Sequence, residues 1–274
     1  MSGGLDFASA TILLVGAGRM GGAMLAGWVE DEALARRITV LDPHAPDEMR
    51  EGWADCGVSV ANGVGDAGTP DIVILAVKPQ VVGDVLPTLA PAIGEETVLV
   101  SVAAGIPIER LQAVCPRSIR AMPNTPALVG RGITVCCAGQ GVGDDARHVI
   151  DALMRTVGEI EWIEDEALMD AVTAVSGSGP AYVFALAETL AEAGRAVGLP
   201  DETAMRLANA TVAGAGELLH RSDLQPSALR ENVTSPGGTT AAALDVLLAV
   251  DGLPTLMKKA VERAAERSRE LSSA

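Results

Sequence analysis

Short apolar runs alternate with helix-patterned segments through the first 165 residues of this 274-residue chain. Runs that are rich in Val and Ile and bounded by Gly, Pro or Asp predict strands, and here they are ATILLVGAG, RITVLDP, DIVILAVKP, ETVLVSVAAG, SIRAMPNTP and GITVCCAG. Helical patterns follow over residues 20–30, 81–89, 107–114 and 144–157, the last leading into the strand-like EIEWI. This alternation favours an α/β domain with a doubly wound, mostly parallel sheet over residues 1–165.

The strand signal stops near residue 166. Ala-rich helical segments follow over residues 181–197, 201–220, 237–249 and 254–271, separated by the turn sequences AVGLPDE, SDLQPS, SPGG and DGLP. These helices are apolar on more than one face, so each needs partners on several sides. We therefore expect an all-α second domain over residues 166–274 that buries its surface against another copy of the chain.

Composition narrows the function classes. The formal net charge is −16, which repels phosphate backbones and argues against nucleic acid as a partner.

The first apolar run has no basic region before it and predicts a strand rather than a signal peptide, and no run is long enough to span a membrane. Cys56, Cys115, Cys136 and Cys137 form no metal-ligand pattern. We expect small buried thiols in the reducing cytoplasm, with Cys136 and Cys137 on opposite faces of one strand.

A glycine fingerprint stands directly after the first predicted strand. In VGAGRMGGAM, Gly16, Gly18 and Gly21 have GxGxxG spacing at the start of a predicted helix. The first glycine permits the turn, the second lets a pyrophosphate approach the backbone, and the third lets helix and strand pack closely. This context, more than the motif alone, predicts a dinucleotide site.

An acidic residue ends the second predicted strand. Asp42 follows the fingerprint at the distance where a carboxylate binds the adenosine ribose and disfavours a 2′-phosphate. The alternative is that Asp42 caps the turn before Pro43. His44 and Arg50 lie nearby in the sequence and could receive a phosphate, so both NADH and NADPH remain open as cofactors.

Two further segments follow predicted strands at the edge where ligands bind in such sheets. Lys78 and Pro79 end DIVILAVKP, and Lys78 is either a cofactor ligand or an ordinary loop lysine. In RAMPNTPALVG, Asn124 lies between two prolines that restrict the backbone. Such an amide suits a hydrogen bond to a ligand or to a neighbouring loop, with a plain turn as the alternative.

Two Gly/Ser-rich interruptions mark the helical half. SGSGP, from Ser176 to Pro180, breaks an apolar helical sequence, as a kink or as a close backbone approach. In NVTSPGGTTAAAL, Ser235, Gly237, Gly238 and two threonines precede a helix. Such a turn offers free N–H groups and a favourable dipole to an anion, beyond what an ordinary N-cap needs.

The ordered set GAGRMG, AVKPQ, AMPNTPA, SGSGPAYVF and NVTSPGGTTAAAL resembles the pyrroline-5-carboxylate reductases over nearly the whole chain. TSPGGxT is the most specific of these motifs and the glycine fingerprint the least. The resemblance implies a Rossmann domain followed by a helical dimerisation domain, a homodimer that in some members assembles into decamers, and reduction of 1-pyrroline-5-carboxylate to L-proline with NADPH or NADH. Asp42 departs from the family pattern and leaves the cofactor open.

The site residues follow from the same resemblance. Cofactor contacts are expected from Gly16, Gly18, Arg19, Met20, Gly21, Asp42, Ala76, Val77, Lys78, Pro79 and Asn124. Substrate contacts are expected from Ser178, Ser235, Gly237, Gly238, Thr239 and Thr240. Helix-terminus physics independently favours a carboxylate at the amides of the glycine turn. Thr240 is the expected catalytic residue, orienting the imine nitrogen through its hydroxyl.

Two other readings stay open at this point. A β-hydroxyacid dehydrogenase of the same two-domain plan would need a basic Lys in the helical half, where this chain has the GGTT turn. A cofactor-binding dimer without catalysis would act as a sensor or scaffold. The three histidines lie outside the motifs, so chemistry based on a His base or a metal lacks its parts. Imine reduction needs mainly positioning and exclusion of water.

Overall fold

The computed structural model describes residues 5–272. Within them, eight strands form one sheet in the order β3-β2-β1-β4-β5-β6-β7-β8. The strands are β1 Ile12–Val15, β2 Ile38–Leu41, β3 Ser59–Ala61, β4 Ile72–Leu75, β5 Val98–Ser101, β6 Ser118–Met122, β7 Gly132–Ala138 and β8 Gly158–Ile163. Neighbouring strands are parallel except for β6 and β7, which run antiparallel. The strand order reverses between β1 and β4, where doubly wound sheets bind ligands at the carboxyl edge.

Helices cover both faces of the sheet. In the first half they are α1 Arg19–Trp28, α2 Glu32–Ala35, α3 Asp47–Asp55, α4 Val82–Val85, α5 Ile108–Gln112 and α6 Asp144–Arg155. Successive residues of β1 enter different cores: Leu14 packs in the cluster that contains Trp28, and Leu13 in the one that contains Leu89. Because both faces are buried, the central strands β1 and β4 are continuous apolar runs without polar alternation.

The second half is helical throughout. Its helices are α7 Met169–Val172, α8 Gly179–Ala196, α9 Asp201–Arg221, α10 Pro226–Asn232, α11 Thr239–Leu247 and α12 Leu253–Ser272, with a π-helical turn at Thr173–Gly177 between α7 and α8. The fold class expected from the sequence is confirmed. No helix among residues 5–272 combines the length and apolarity needed to cross a membrane.

The contacts divide the chain into two compact units. One comprises the residues up to Gly177 together with those from Ala265 onwards, and the other comprises Ser178–Ala264. The predicted boundary at residue 166 stays a prediction. By its contacts, the sheet-containing unit also includes α7 and the π-helical turn. Among the described residues of the second unit, only Ala191, Ala204 and Ala208 are buried.

Several local expectations are wrong in instructive ways. The predicted helix over 81–89 is only one α-helical turn, α4, because Pro87 and Pro91 divert the following residues into a 3₁₀ helix. β3 was not predicted, since three residues carry little periodicity. α10 was not predicted either, because it begins at Pro226, inside the SDLQPS sequence that was expected to form a turn.

The four cysteines are free thiols. Cys136 and Cys137 lie in different core clusters, which confirms that they point to opposite faces of β7. Cys115 is also buried. The expectation of burial is wrong for Cys56, because it ends α3, a helix that buries none of its residues.

Candidate active site

The glycine loop closes tightly on the end of β4. Gly16 has φ +87°, and a Cβ there would lie 2.9 Å from Val77 Cγ1. A Cβ on Gly21 would lie 2.1 Å from the Gly16 carbonyl oxygen. At Gly18, by contrast, an added Cβ would have no protein atom within 4 Å. The loop is therefore packed on its inner side and open at its middle glycine, as the approach of a pyrophosphate requires.

The helix that follows this loop has an uncapped N-terminus. Gly18 is the N-cap of α1, no side chain caps it, and the first turn holds no acidic residue. Arg19 is exposed and Met20 partly exposed beside it. The first N–H groups of a helix have no intrahelical acceptor and carry the positive end of its dipole. These residues therefore fit the pyrophosphate of a dinucleotide.

Asp42 connects β2 to this loop. Its Oδ2 accepts a hydrogen bond from the Ala17 N–H at 2.8 Å, and its Oδ1 accepts one from the His44 N–H at 3.0 Å. The carboxylate is partly buried. It therefore both caps the turn and orders the glycine loop, while each oxygen retains a lone pair for a ribose hydroxyl.

A guanidinium lies beside Asp42. Arg50, on α3, donates from Nη1 to the Asp42 carbonyl at 3.3 Å and from Nη2 to Asn62 Oδ1 at 2.6 Å. The group is thus held in place next to the position where the adenosine ribose would lie. Asn62, which follows β3, was missed by the sequence analysis because its strand was missed.

The segment after β4 lies against the glycine loop. The Ala76 N–H donates to the Val15 carbonyl at 2.8 Å, and the Ala76 side chain is a close neighbour of Gly21. Lys78 is exposed and forms the N-cap of a short 3₁₀ helix, Pro79–Val81. An exposed ammonium at this edge suits a cofactor phosphate or ribose, although its side chain makes no hydrogen bond within the described residues.

The side-chain amide of Asn124 forms hydrogen bonds with other residues of the protein. Its Oδ1 accepts from the Ile133 N–H at 3.0 Å, and its Nδ2 donates to the Ser176 carbonyl at 3.2 Å. The side chain is buried, 8 % exposed. Asn124 thus ties the end of β6 to the start of β7 and to the π-helical turn. Direct cofactor binding by this amide stays a prediction.

The glycine turn before α11 belongs to the second unit. The Gly238 N–H donates to the Ser235 carbonyl at 3.0 Å, and Gly237 has φ +67°, as a Pro-Gly β-turn requires. Gly238 is the N-cap of α11, and no side chain caps the helix. Since the turn uses the Gly238 N–H, the amides of Gly237, Thr239 and Thr240 are those left for an anion.

The side-chain hydroxyl groups at the starts of α8 and α11 do not cap these helices. The side chains of Thr239 and Thr240 donate no hydrogen bond within residues 5–272, and Thr240 is only partly exposed. Ser178 is the N-cap residue of α8 but makes no side-chain cap. Thr240 therefore does not cap α11, although capping is the structural role that its position at a helix start would suggest.

No metal centre is evident in the part of the chain that the structure describes: no group of three or more His, Cys, Asp or Glu side chains converges there.

Comparison with known proteins identifies the family. The profile described as "Pyrroline-5-carboxylate reductase dimerisation" matches residues 166–271, and "NADP oxidoreductase coenzyme F420-dependent" matches residues 11–105. A pyrroline-5-carboxylate reductase of Pseudomonas aeruginosa is 41% identical over 95% of this chain and 96% of its own. The chain belongs to the pyrroline-5-carboxylate reductase family.

Solved structures agree with this assignment. A pyrroline-5-carboxylate reductase from Coxiella burnetii superposes with a TM-score of 0.89, at 33% identity over 96% of this chain and 98% of that one. The Plasmodium falciparum pyrroline carboxylate reductase, solved with NADP bound, has a TM-score of 0.81 at 28% identity, covering 97% of this chain and 100% of that one.

Within this reductase fold, the structure brings together some of the expected cofactor residues. Gly16, Gly21 and Ala76–Val77 contact one another, and Asp42 joins them through Ala17. Asn124 bonds to a different set of segments. The substrate residues lie together in one turn of the second unit, apart from Ser178, which begins another helix there.

Proposed function

We infer that this chain catalyses the NAD(P)H-dependent reduction of 1-pyrroline-5-carboxylate to L-proline, the last step of proline biosynthesis. The 41% identity to a pyrroline-5-carboxylate reductase across nearly the full length of both chains carries this inference. The glycine loop supports it, since it is closed around Gly16 and open at Gly18 in the way that a dinucleotide needs.

The reaction needs few acid–base groups from the protein. When bound, NAD(P)H supplies the hydride that the ring carbon of the imine receives. Protonation of the ring nitrogen already makes the imine carbon electrophilic, so the protein contributes orientation and exclusion of water. This fits a site whose candidate residues are amides and hydroxyl groups.

We propose that the turn before α11 holds the substrate carboxylate. The turn is uncapped, contains no acidic side chain in its first helical residues, and presents N–H groups with the dipole of a nine-residue helix behind them. The amides of Gly237 and Thr239 are the proposed donors, with Ser235 and Ser178 supplying hydroxyl groups. Gly238 contributes by forming the turn, because its own N–H is used there.

Thr240 is the proposed catalytic residue. Its hydroxyl makes no hydrogen bond within the described residues and follows the proposed carboxylate site directly. A hydroxyl can donate to or accept from the ring nitrogen. Thr240 would therefore orient the imine and hold or relay the proton at that nitrogen.

The proposed cofactor contacts are Gly16, Gly18, Arg19, Met20, Gly21, Asp42, Ala76, Val77, Lys78, Pro79 and Asn124. Asp42 favours NADH, because a carboxylate repels a 2′-phosphate. Arg50, held beside it, favours the phosphate of NADPH. We propose that the chain uses both cofactors and that Asp42 and Arg50 together set the ratio of NADPH use to NADH use.

The helical unit supports oligomerisation, and we propose a homodimer, with decamers as a further assembly. Large apolar side chains remain exposed on it, among them Phe184 at 64% and Val246 at 72%. We also propose a cytoplasmic location, because all four thiols are free.

The test is an assay with purified protein. 1-Pyrroline-5-carboxylate should be consumed with NADH or NADPH while proline accumulates in equal amount, and β-hydroxyacids with NAD(P)⁺ should give no turnover. Turnover of hydroxyacids but not of the imine would indicate a dehydrogenase. Cofactor binding with no turnover of either substrate would indicate a sensor or scaffold.

A further inference from the structure

The π-helical turn Thr173–Gly177 contains a hydroxyl without a partner. Ser176 Oγ is buried and makes no hydrogen bond to any described residue. Buried hydroxyl groups are almost always hydrogen-bonded in folded proteins, so an exception needs an explanation. Single π-helical turns inside α-helical segments are also rare and occur often at functional sites.

The backbone that carries this hydroxyl is fixed against the sheet. The Ser176 carbonyl accepts the hydrogen bond from Asn124 Nδ2 at 3.2 Å, and Asn124 Oδ1 is held in turn by the Ile133 N–H. At the next residue, an added Cβ on Gly177 would lie 2.4 Å from Met122 Cε. The turn is therefore clamped to the end of β6.

The position of β6 suggests which part of a dinucleotide would meet Ser176. β1, β4, β5 and β6 are parallel, so Met122 ends its strand at the same edge as the glycine loop. In the sheet order, β2 with Asp42 lies on one side of the loop and β6 on the other. A dinucleotide with its adenosine at β2 extends its nicotinamide toward β4, β5 and β6.

We propose that the Ser176 hydroxyl binds the nicotinamide carboxamide of NAD(P)H, with Asn124 as its positioning residue. A hydroxyl both donates and accepts, which matches a neutral carboxamide that does the same. Rotation about χ1 of Ser176 redirects the hydroxyl while Asn124 holds the backbone. The inference rests on the proposed use of NAD(P)H and names a ligand contact for its nicotinamide end.

The test compares nucleotides with and without the nicotinamide. Ser176→Ala should weaken binding of NADH and NADPH about 3- to 10-fold, the loss expected for one neutral hydrogen bond. Binding of ADP-ribose and its 2′-phosphate, which lack the nicotinamide, should not change. Equilibrium titration measures all four affinities without turnover. Ser176→Cys fills a similar volume with a weak hydrogen-bonding group and should behave like the alanine variant.

Thr173→Val is the matched control. Its hydroxyl lies in the same turn but is already bonded to the Met169 carbonyl at 2.8 Å. This variant should lose thermal stability and keep its preference for NAD(P)H over ADP-ribose. Ser176→Ala should instead keep or gain stability without ligand, because it removes a buried group that has no partner.

The outcomes separate this inference from the proposed function. A wild-type chain that binds no NAD(P)H contradicts the proposed function itself. Wild-type binding with unchanged NAD(P)H affinity in both Ser176 variants overturns the role of Ser176 alone. An equal loss of affinity for ADP-ribose and NAD(P)H also overturns it, since that pattern indicates a general disturbance of the sheet edge.

Discussion

The carboxylate of Asp42 joins the end of β2 to the glycine loop, because its Oδ2 accepts the Ala17 N–H at 2.8 Å. One side chain thus orders the loop expected to hold the pyrophosphate and faces the expected position of the adenosine ribose. Changes at Asp42 should therefore affect both the affinity for dinucleotides and the choice between them.

Asp42→Ser should raise the NADPH/NADH ratio of kcat/KM about 10-fold, since it removes a charged ribose acceptor and relieves repulsion of a 2′-phosphate, an effect of about 1–3 kcal/mol. Steady-state assays with each cofactor give the ratio. Asp47→Ser, which removes an exposed charge at the start of α3, controls for net charge. An unchanged ratio in Asp42→Ser would rule out this assignment.

Glu166 should stabilise the sheet-containing unit through a buried arginine. Its Oε1 accepts from Arg120 Nη1 at 3.0 Å and from the Ile108 N–H at 2.9 Å, and the Arg120 side chain is only 9% exposed. Glu166→Ala should lower the free energy of unfolding by about 1–3 kcal/mol, because a buried guanidinium loses a hydrogen-bond acceptor.

Urea unfolding at one fixed protein concentration measures this loss. Glu96→Ala is the matched control, because Glu96 is 74% exposed and its partner Arg117 also pairs with Asp145. Glu96→Ala should lower the free energy of unfolding by less than about 1 kcal/mol. Equal losses in the two variants would contradict the role assigned to Glu166.

The thiols should differ sharply in reactivity. Desolvation raises the pKa of the Cys115, Cys136 and Cys137 thiols, which lowers the fraction of reactive thiolate at neutral pH. Cys56 is exposed. Titration with a thiol-specific disulfide reagent should modify one thiol rapidly in the folded protein and four after denaturation. Rapid modification of a second thiol in the folded state would show that the core is open.

The helical unit should not exist as a stable monomer. Leu218 is 65% exposed and Phe184 64% on a unit that buries few of its own residues. Sedimentation at micromolar concentration should show a dimer or a larger assembly. A folded, active monomer would contradict this expectation.

Much of the fold is predictable because its signals are local. The apolar runs, the glycine fingerprint and the Ala-rich helices depend on neighbouring residues, and they placed β1 and α1 correctly. β3 could not be predicted, because its three residues form a strand only by pairing with β2. Cys56 is exposed because it follows α3, a helix with no fully buried residue, and the sequence analysis did not predict that helix.

The site was predictable as motifs and less so as hydrogen bonds. The turn before α11 was expected to offer the Gly238 amide, which the β-turn uses instead. Asn124 was expected to bond to a ligand or to a neighbouring loop, and its amide bonds to Ile133 and Ser176. The bond from Gly238 to Ser235 is local and belongs to the Pro-Gly turn. Ile133 and Ser176 lie 9 and 52 residues from Asn124, so no local pattern encodes those two contacts.

Thr240→Val tests the central claim, that this turn orients the imine for reduction. The variant keeps the β-branched shape and removes a hydroxyl that caps no helix. The rate of proline formation should fall about 10²–10³-fold, as for the loss of one donor in the transition state, with cofactor affinity and thermal unfolding unchanged. Thr189→Val, whose hydroxyl bonds only within α8, should keep full activity. Normal kcat and kcat/KM for the imine in Thr240→Val would contradict the account.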